Sequence, residues 1–271
     1  MDFYKELEQI LELKTPKEKL KQFRTFYKKF QKEEIDFVSQ EKAKLFSEPA
    51  YEGFCQVVAP QKVPKRSNLT TKEGQINLLH AVTHIEYSAI DLALDAAYRF
   101  RGLPRKFYED WLEVADDEVR HFEMLEELLN KLGSAYGKIE VHNSLFEASY
   151  KTQTLIERMA VVPRYLEANG LDATPMILEK LKNYPKNDML EKIKSALTII
   201  LQEEIDHVKK GDVWFSYACD LEKKDTSIFF DIIQKYYPRS FLRPDDLNIE
   251  ARKEAGFSCN ELKRMANKEV C

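Results

Sequence analysis

Two Glu-x-x-His pairs, Glu118 with His121 and Glu204 with His207, stand 86 residues apart (204 minus 118) in a chain of 271 residues. Positions three apart share a face of a helix, so each pair presents one carboxylate and one imidazole to the same point. That is a metal-ligand pair on each of two helices. Trp111, Val114, Ala115, Phe122, Leu125 and Leu129 form the apolar stripe around the first pair, and Leu197, Ile200, Leu201, Val208 and Trp214 the stripe around the second. A carboxylate buried among such residues is costly unless it is paired or bound to a cation.

Two more glutamates extend the set. The helix expected from about Thr71 to Phe100 has Leu79, Val82, Ala89, Ile90 and Ala93 on one stripe, with Glu86 in its middle where an apolar residue would be expected. A neighbouring stripe carries His80, His84, Tyr87, Asp91 and Tyr98, read as polar contacts at a helix interface. On the third helix Glu157 and Glu167 compete; ten residues span about 15 Å of helix, so they cannot both serve one site. Glu157 shares its face with Gln153, Thr154 and Arg164, whereas Glu167 follows Ile156, Met159, Ala160 and Pro163. Spacing agrees: Glu86 precedes Glu118 by 32 residues and Glu167 precedes Glu204 by 37, against 47 for Glu157.

Glu86, Glu118, His121, Glu167, Glu204 and His207 together are the inventory of a di-metal carboxylate centre. Four carboxylates balance two divalent cations, held about 3.5–4 Å apart by bridging oxygens. A mixed carboxylate and imidazole set suits iron or manganese better than calcium. The expected cofactor is two iron ions, with manganese or a mixed iron and manganese pair as the alternative. Asp117 and Glu203 each precede a ligand glutamate. They are expected to accept the outer N–H of the opposite imidazole, Asp117 from His207 and Glu203 from His121, although two ordinary acidic helix residues would look the same.

The elements that must hold these groups are helical. Hydrophobic residues make up 44% and charged residues 32%, with 8 Gly and 10 Pro, which favours helices with short connections over a turn-rich β fold. Arg101-Gly102-Leu103-Pro104 ends one helix and starts the next. Gly133 to His142 is a long connection. The third helix should be kinked or interrupted near Glu167, given Pro163, Gly170 and Pro175. The fourth is expected from about Lys186 to Leu221. Shorter helices follow over Ser227–Tyr237 and Leu247–Ala255, and Ser258-x-x-Glu261 is a capping box for a last one.

Upstream, Lys14 to Lys32 holds eight basic residues interleaved with Phe23, Phe26, Tyr27 and Phe30. A solvated lysine face with aromatic core contacts is preferred there over an RNA-binding surface. Residues 49–70 read as an extended wrap. Net charge is −4, and the stretch 71–220 is the acidic part, with 18 Lys and Arg against 26 Asp and Glu. That balance weighs against a surface built throughout for nucleic acid. There is no apolar run of about 18 residues and no hydrophobic signal core behind Met1-Asp2-Phe3-Tyr4-Lys5, so a soluble cytoplasmic protein without a membrane partner is expected. The cysteines at 55, 219, 259 and 271 lack CxxC spacing and are expected to be reduced thiols.

His84-Ile85-Glu86, Asp117-Glu118-Val119-Arg120-His121 and Glu204-Ile205-Asp206-His207 resemble the ferritin-like di-iron superfamily. Within it, the stretches Leu79 to Glu86, Arg158 to Pro163 and Leu166 to Asp172 resemble a bacterial family known only as a domain of unknown function. The resemblance is strong from Leu78 to Phe215 and weaker over Asn248 to Arg252, Ala255-Gly256-Phe257 and Glu261-Leu262. It implies an all-α ferritin-like four-helix bundle, with Glu167 matching the family's third-helix glutamate. Asn169 departs from the arginine that relatives often carry, a change at the entrance to the site. More distantly the pattern is similar to tRNA-modifying di-iron hydroxylases, a kinship that does not transfer a substrate.

The expected organisation is N-terminal helices and an extended wrap over 1–70, the di-metal bundle over 71–221, and a C-terminal helical extension over 222–271. The expected activity is that of a di-iron oxidoreductase, a dioxygen-activating hydroxylase or related oxidase with a small-molecule or RNA substrate and an electron donor. A ferroxidase or metal-handling protein, and a metal-stabilised structural or interaction bundle without catalysis, are the alternatives.

Overall fold

The computed structural model describes residues 1–38, 41–66, 68–184, 187–242 and 246–271, and the chain is all-α, with no strand among the described residues. None of the described helices is long and apolar enough to cross a membrane. The chain divides into two compact units, Met1–Tyr150 and Lys151–Cys271.

The first unit is built on α3 (Lys72–Arg99) and α4 (Arg105–Lys131). Thr71 caps α3 by accepting the Gly74 N–H at 3.1 Å, which satisfies one of the four N–H groups a helix start leaves open. Gly102 adopts φ +72° in the connection to α4, a left-handed value that glycine takes without strain. Leu79, Val82, Ala89, Ile90 and Ala93 are buried, as are Val114, Ala115, Val119, Phe122 and Leu125 of α4. Two shorter helices, α1 (Phe3–Glu12) and α2 (Pro16–Gln31), pack on this pair, α1 against α3 and α2 against α4. Phe23, Phe26 and Phe30 of α2 face the core, so these rings are closed to stacking by an outside base. Lys19, from the same basic run, is wholly buried and paired with Asp91 of α3.

Residues 49–66 run extended between short 3-10 turns at Ala50–Gly53 and Pro60–Lys62. They pair with the connection after α4 through Val58 N to Val141 O at 2.8 Å and Val141 N to Gln56 O at 3.0 Å. That connection seals the polar stripe of α3. His80 Nε2 accepts the Gly137 N–H at 2.9 Å. The His84 ring lies between the Tyr136 hydroxyl, 2.8 Å from Nδ1, and the His142 carbonyl, 2.9 Å from Nε2. Nε2 therefore donates, and Nδ1 accepts from the tyrosine.

The second unit is organised on α8 (Asp188–Glu222), capped by the Asn187 side chain accepting from Leu190 N at 2.8 Å. The start expected at Lys186 lies outside the described residues. The third helix is broken into α5 (Ser144–Lys151), which closes the first unit, then α6 (Leu155–Val161), a π turn over Val162–Glu167 and α7 (Ala168–Lys182). Only Pro163 coincides with a change of helix type; Gly170 and Pro175 sit inside α7. The π turn packs on Gly211 of α8, where a Cβ would come within 2.5 Å of the Pro163 ring. Beyond α8 come α9 (Ile228–Tyr236), α10 (Ile249–Glu254) and α11 (Cys259–Ala266), the last with both bonds of the Ser258–Glu261 capping box. Cys259 and Cys271 are joined by a disulfide, contrary to the expectation of four reduced thiols, while Cys55 and Cys219 are buried free thiols.

Candidate metal centre

Glu86 of α3 and Glu118 and His121 of α4 converge in the first unit. They are 3%, 1% and 0% exposed, and each offers a ligand atom within 4.8 Å of the others. The register follows from the helix pair: Glu118 and His121 share a face one turn apart, and α3 lays its one acidic stripe position against that face. His121 Nδ1 lies 3.1 Å from Glu86 Oε2 and 3.3 Å from Glu118 Oε2. Burial alone would lower the imidazole pKa. The hydrogen bonds and charges of Glu118 and Glu86 overcome that and hold it up to about 11. A proton on Nδ1 thus occupies the point toward which two buried carboxylates aim. A divalent cation at that point would replace the proton, because a ligand imidazole must offer a lone pair.

In the second unit α8 carries Glu204 and His207. His207 is fully buried, and its Nδ1 is 3.8 Å from Glu204 Oε2, too far for a hydrogen bond. Glu204 Oε2 is itself buried and has no hydrogen-bond partner. A buried carboxylate oxygen left so is costly, and a metal ion is one group that relieves it. Glu167 ends the π turn and is half-buried at the start of α7. Its rival Glu157 is engaged elsewhere, bonded to Lys235 at 2.6 Å and accepting from Thr154 at 3.2 Å. Asp117 is paired with Arg120 on its own helix, and Glu203 is half-buried on α8.

The structure thus assembles Glu86, Glu118 and His121 in one unit and pairs Glu204 with His207 in the other. Two carboxylates and one imidazole at ligand spacing, shielded from water, are a donor set that fits a divalent transition metal.

The family described as "Protein of unknown function (DUF455)" matches residues 12–263. The chain belongs to this family. An uncharacterized protein of Haemophilus influenzae is similar to it, 41% identical over 218 residues that make up 76% of this chain and 72% of the relative. No solved structure matches the chain.

The sequence placed Arg164 on the mixed face of Glu157 and gave Arg252 no role, yet both are buried, Arg164 three residues before Glu167 and Arg252 bonded to the Ala168 carbonyl just after it. Arg164 donates from Nε to Asp212 Oδ1 and from Nη2 to Glu261 Oε1, both at 2.6 Å. Arg252 donates from Nε to Asp172 Oδ1 at 3.0 Å and from Nη2 to Asp172 Oδ2 at 2.5 Å. The available signal was an arginine inside an otherwise apolar run, as at Val161-Val162-Pro163-Arg164. Its partners lie 48 and 97 residues away, beyond any periodic pattern.

Proposed function

We propose that this chain is a di-iron oxidoreductase that activates dioxygen to hydroxylate or otherwise oxidise a substrate. In this reading residues 71–221 form a ferritin-like four-helix bundle, flanked by N-terminal helices and wrap over 1–70 and a C-terminal extension over 222–271. Glu86, Glu118 and His121 supply one half of the ligand set, and Glu167, Glu204 and His207 the other. The observation that carries the proposal is the His121 imidazole held between two carboxylates, in a core position where three apolar side chains would otherwise stand. The buried Glu204 oxygen that lacks a hydrogen bond supports it from the second unit.

Bound iron would supply the reductive activation of dioxygen. The chain's own part is to neutralise and exclude. Four carboxylates balance the charge of two divalent ions, and the imidazoles, held by neighbouring acceptors, keep their lone pairs aimed inward. Asp117 and Glu203 are the acceptors proposed for His207 and His121. Phe122, Val119 and Ala115, all buried on α4, keep water from the carboxylates and so strengthen every charge interaction among them.

The test is metal analysis of protein purified without added metal, followed by reduction and rapid mixing with dioxygenated buffer. Two irons per chain and dioxygen consumption, both lost in Glu118→Gln, are expected. Iron without dioxygen consumption would turn the reading toward a structural bundle. Repeated oxidation of added ferrous ions without an organic substrate would turn it toward metal handling. Absence of bound metal after reconstitution would overturn it.

A further inference from the structure

The segment that carries Glu167 departs from a regular α-helix. A π turn replaces the i to i+4 ladder over Val162–Glu167, Pro163 has no N–H to contribute, and Pro175 removes the N–H that would reach the Leu171 carbonyl one turn back. Six residues of π geometry also lag an α-helix by about one residue of rotation, roughly 100°. The direction in which Glu167 leaves the backbone therefore depends on that turn persisting.

The bond that Pro175 removes is replaced, and the start of α7 further tied down, by side chains from elsewhere in the second unit. Asn248 Nδ2 donates to the Leu171 carbonyl at 3.1 Å, taking the place of the Pro175 N–H, while its backbone N–H donates to Asp172 Oδ1 at 2.8 Å. Arg252 forks onto Asp172 and also donates from Nη2 to the Ala168 carbonyl at 3.0 Å, directly after Glu167. Three residues before Glu167, Arg164 is clamped between Asp212 and Glu261, with its guanidinium 4.4 Å from the Phe229 ring centre and 4.6 Å from that of Phe257. Asp212 lies on α8, eight residues after Glu204 (212 minus 204). The Arg164–Asp212 pair therefore fixes the register of the π turn against the same helix that carries Glu204 and His207.

We infer that Arg164, Asp172, Asn248, Arg252 and Glu261 are positioning residues for Glu167: α10 and α11 act as a two-point clamp that sets a metal ligand. The inference rests on the proposed role of Glu167 as a ligand. It gives the C-terminal helices a task at the centre rather than on the periphery. Bidentate geometry is essential to it, since a lysine at 252 keeps the charge but cannot fork onto Asp172 and reach Ala168 as well.

The test compares full-length wild type, Arg252→Lys, Asp172→Asn and a control, Ile193→Ala, which removes buried volume near the start of α8 without touching the clamp. Amide exchange of the peptide covering 162–172 is read by mass spectrometry, alongside iron content and the absorption spectrum of the cobalt-substituted protein. The clamp variants should speed exchange of that peptide about tenfold, the effect of losing one charge-assisted bond. They should also lose about half the iron and change the cobalt spectrum, while Ile193→Ala lowers melting temperature and changes neither. Unchanged exchange in the variants would overturn the inference. So would faster exchange with an unaltered metal signature, which would make the clamp structural only. If wild type itself takes up no metal, the reading of the centre fails and the clamp's role falls with it; if wild type is loaded and the variants match it, the clamp alone fails.

Discussion

His121 Nδ1 of α4 lies 3.1 Å from Oε2 of Glu86 on α3, across 35 residues of sequence, and both side chains are buried. The pair makes the imidazole the counter-charge of two carboxylates. Replacing His121 by Ala in metal-free protein therefore removes the imidazolium that faces Glu86 and Glu118. That should cost about 3–5 kcal/mol, read by urea denaturation after chelator treatment. Glu86→Gln, which keeps shape and one acceptor, should cost less. A His121→Ala protein within about 0.5 kcal/mol of wild type, the range of an ordinary surface change, would mean that the imidazole carries no proton between the carboxylates.

Gly211 is where α8 lets the π turn approach. A Cβ there would stand 2.5 Å and 2.7 Å from Pro163 Cβ and Cγ, closer than real side chains come, and Pro163 is a rigid ring that cannot swing aside. Gly211→Ala gains helix propensity in α8, yet it should lower stability by about 1–3 kcal/mol through overpacking. Thermal melts of the variant check this. A melting temperature at or above wild type would show that the turn has room to retreat.

The parts of this architecture that the sequence made legible are those where several local signals agree. The Gly102 to Pro104 stop and restart and apolar stripes of period 3.6 marked α3 and α4, and Glu86 stood out because it interrupts such a stripe. The chain path near Glu167 was harder. Pro163, Gly170 and Pro175 each signal a break, and which of them yields depends on repairs from Asn248 and Arg252 that lie some 80 residues downstream. Lys19 illustrates the same limit. It belongs to a run of eight basic residues expected to be solvated, yet its partner Asp91 is 72 residues away and draws it into the core.

That Lys19–Asp91 pair makes its own prediction. Lys19 is fully buried, its Nζ also donates to the Leu11 carbonyl at 3.4 Å, and it lies 5.5 Å from the centre of the Tyr87 ring. Burial pushes the Asp91 pKa up, and Lys19 opposes it. Lys19→Met should therefore cost about 3 kcal/mol, the low end for breaking a buried pair, by leaving the mostly buried Asp91 carboxylate without its cation. The double variant Lys19→Met, Asp91→Leu should recover most of that loss. A double-mutant cycle on denaturation midpoints measures the coupling, and a double variant no better than the single one would show that packing rather than charge dominates there.

His80 and His84 set an acid limit on the first unit. Burial pushes both pKa values down to about 4, against about 6.5 in an unfolded chain. Well above pH 6.5 both are neutral whether folded or not, so they contribute no pH dependence there. As pH falls from 6.5 toward 4, the unfolded chain takes up protons that the folded one refuses, and stability should fall by up to about 1.4 kcal/mol per pH unit for each histidine. The geometry gives the reason for the refusal. His80 Nε2 already accepts a backbone N–H from Gly137, and a proton placed there would oppose it. His80→Gln should remove about half of the slope between pH 6.5 and 4 in urea titrations. An undiminished slope in that variant would assign the acid sensitivity to other groups.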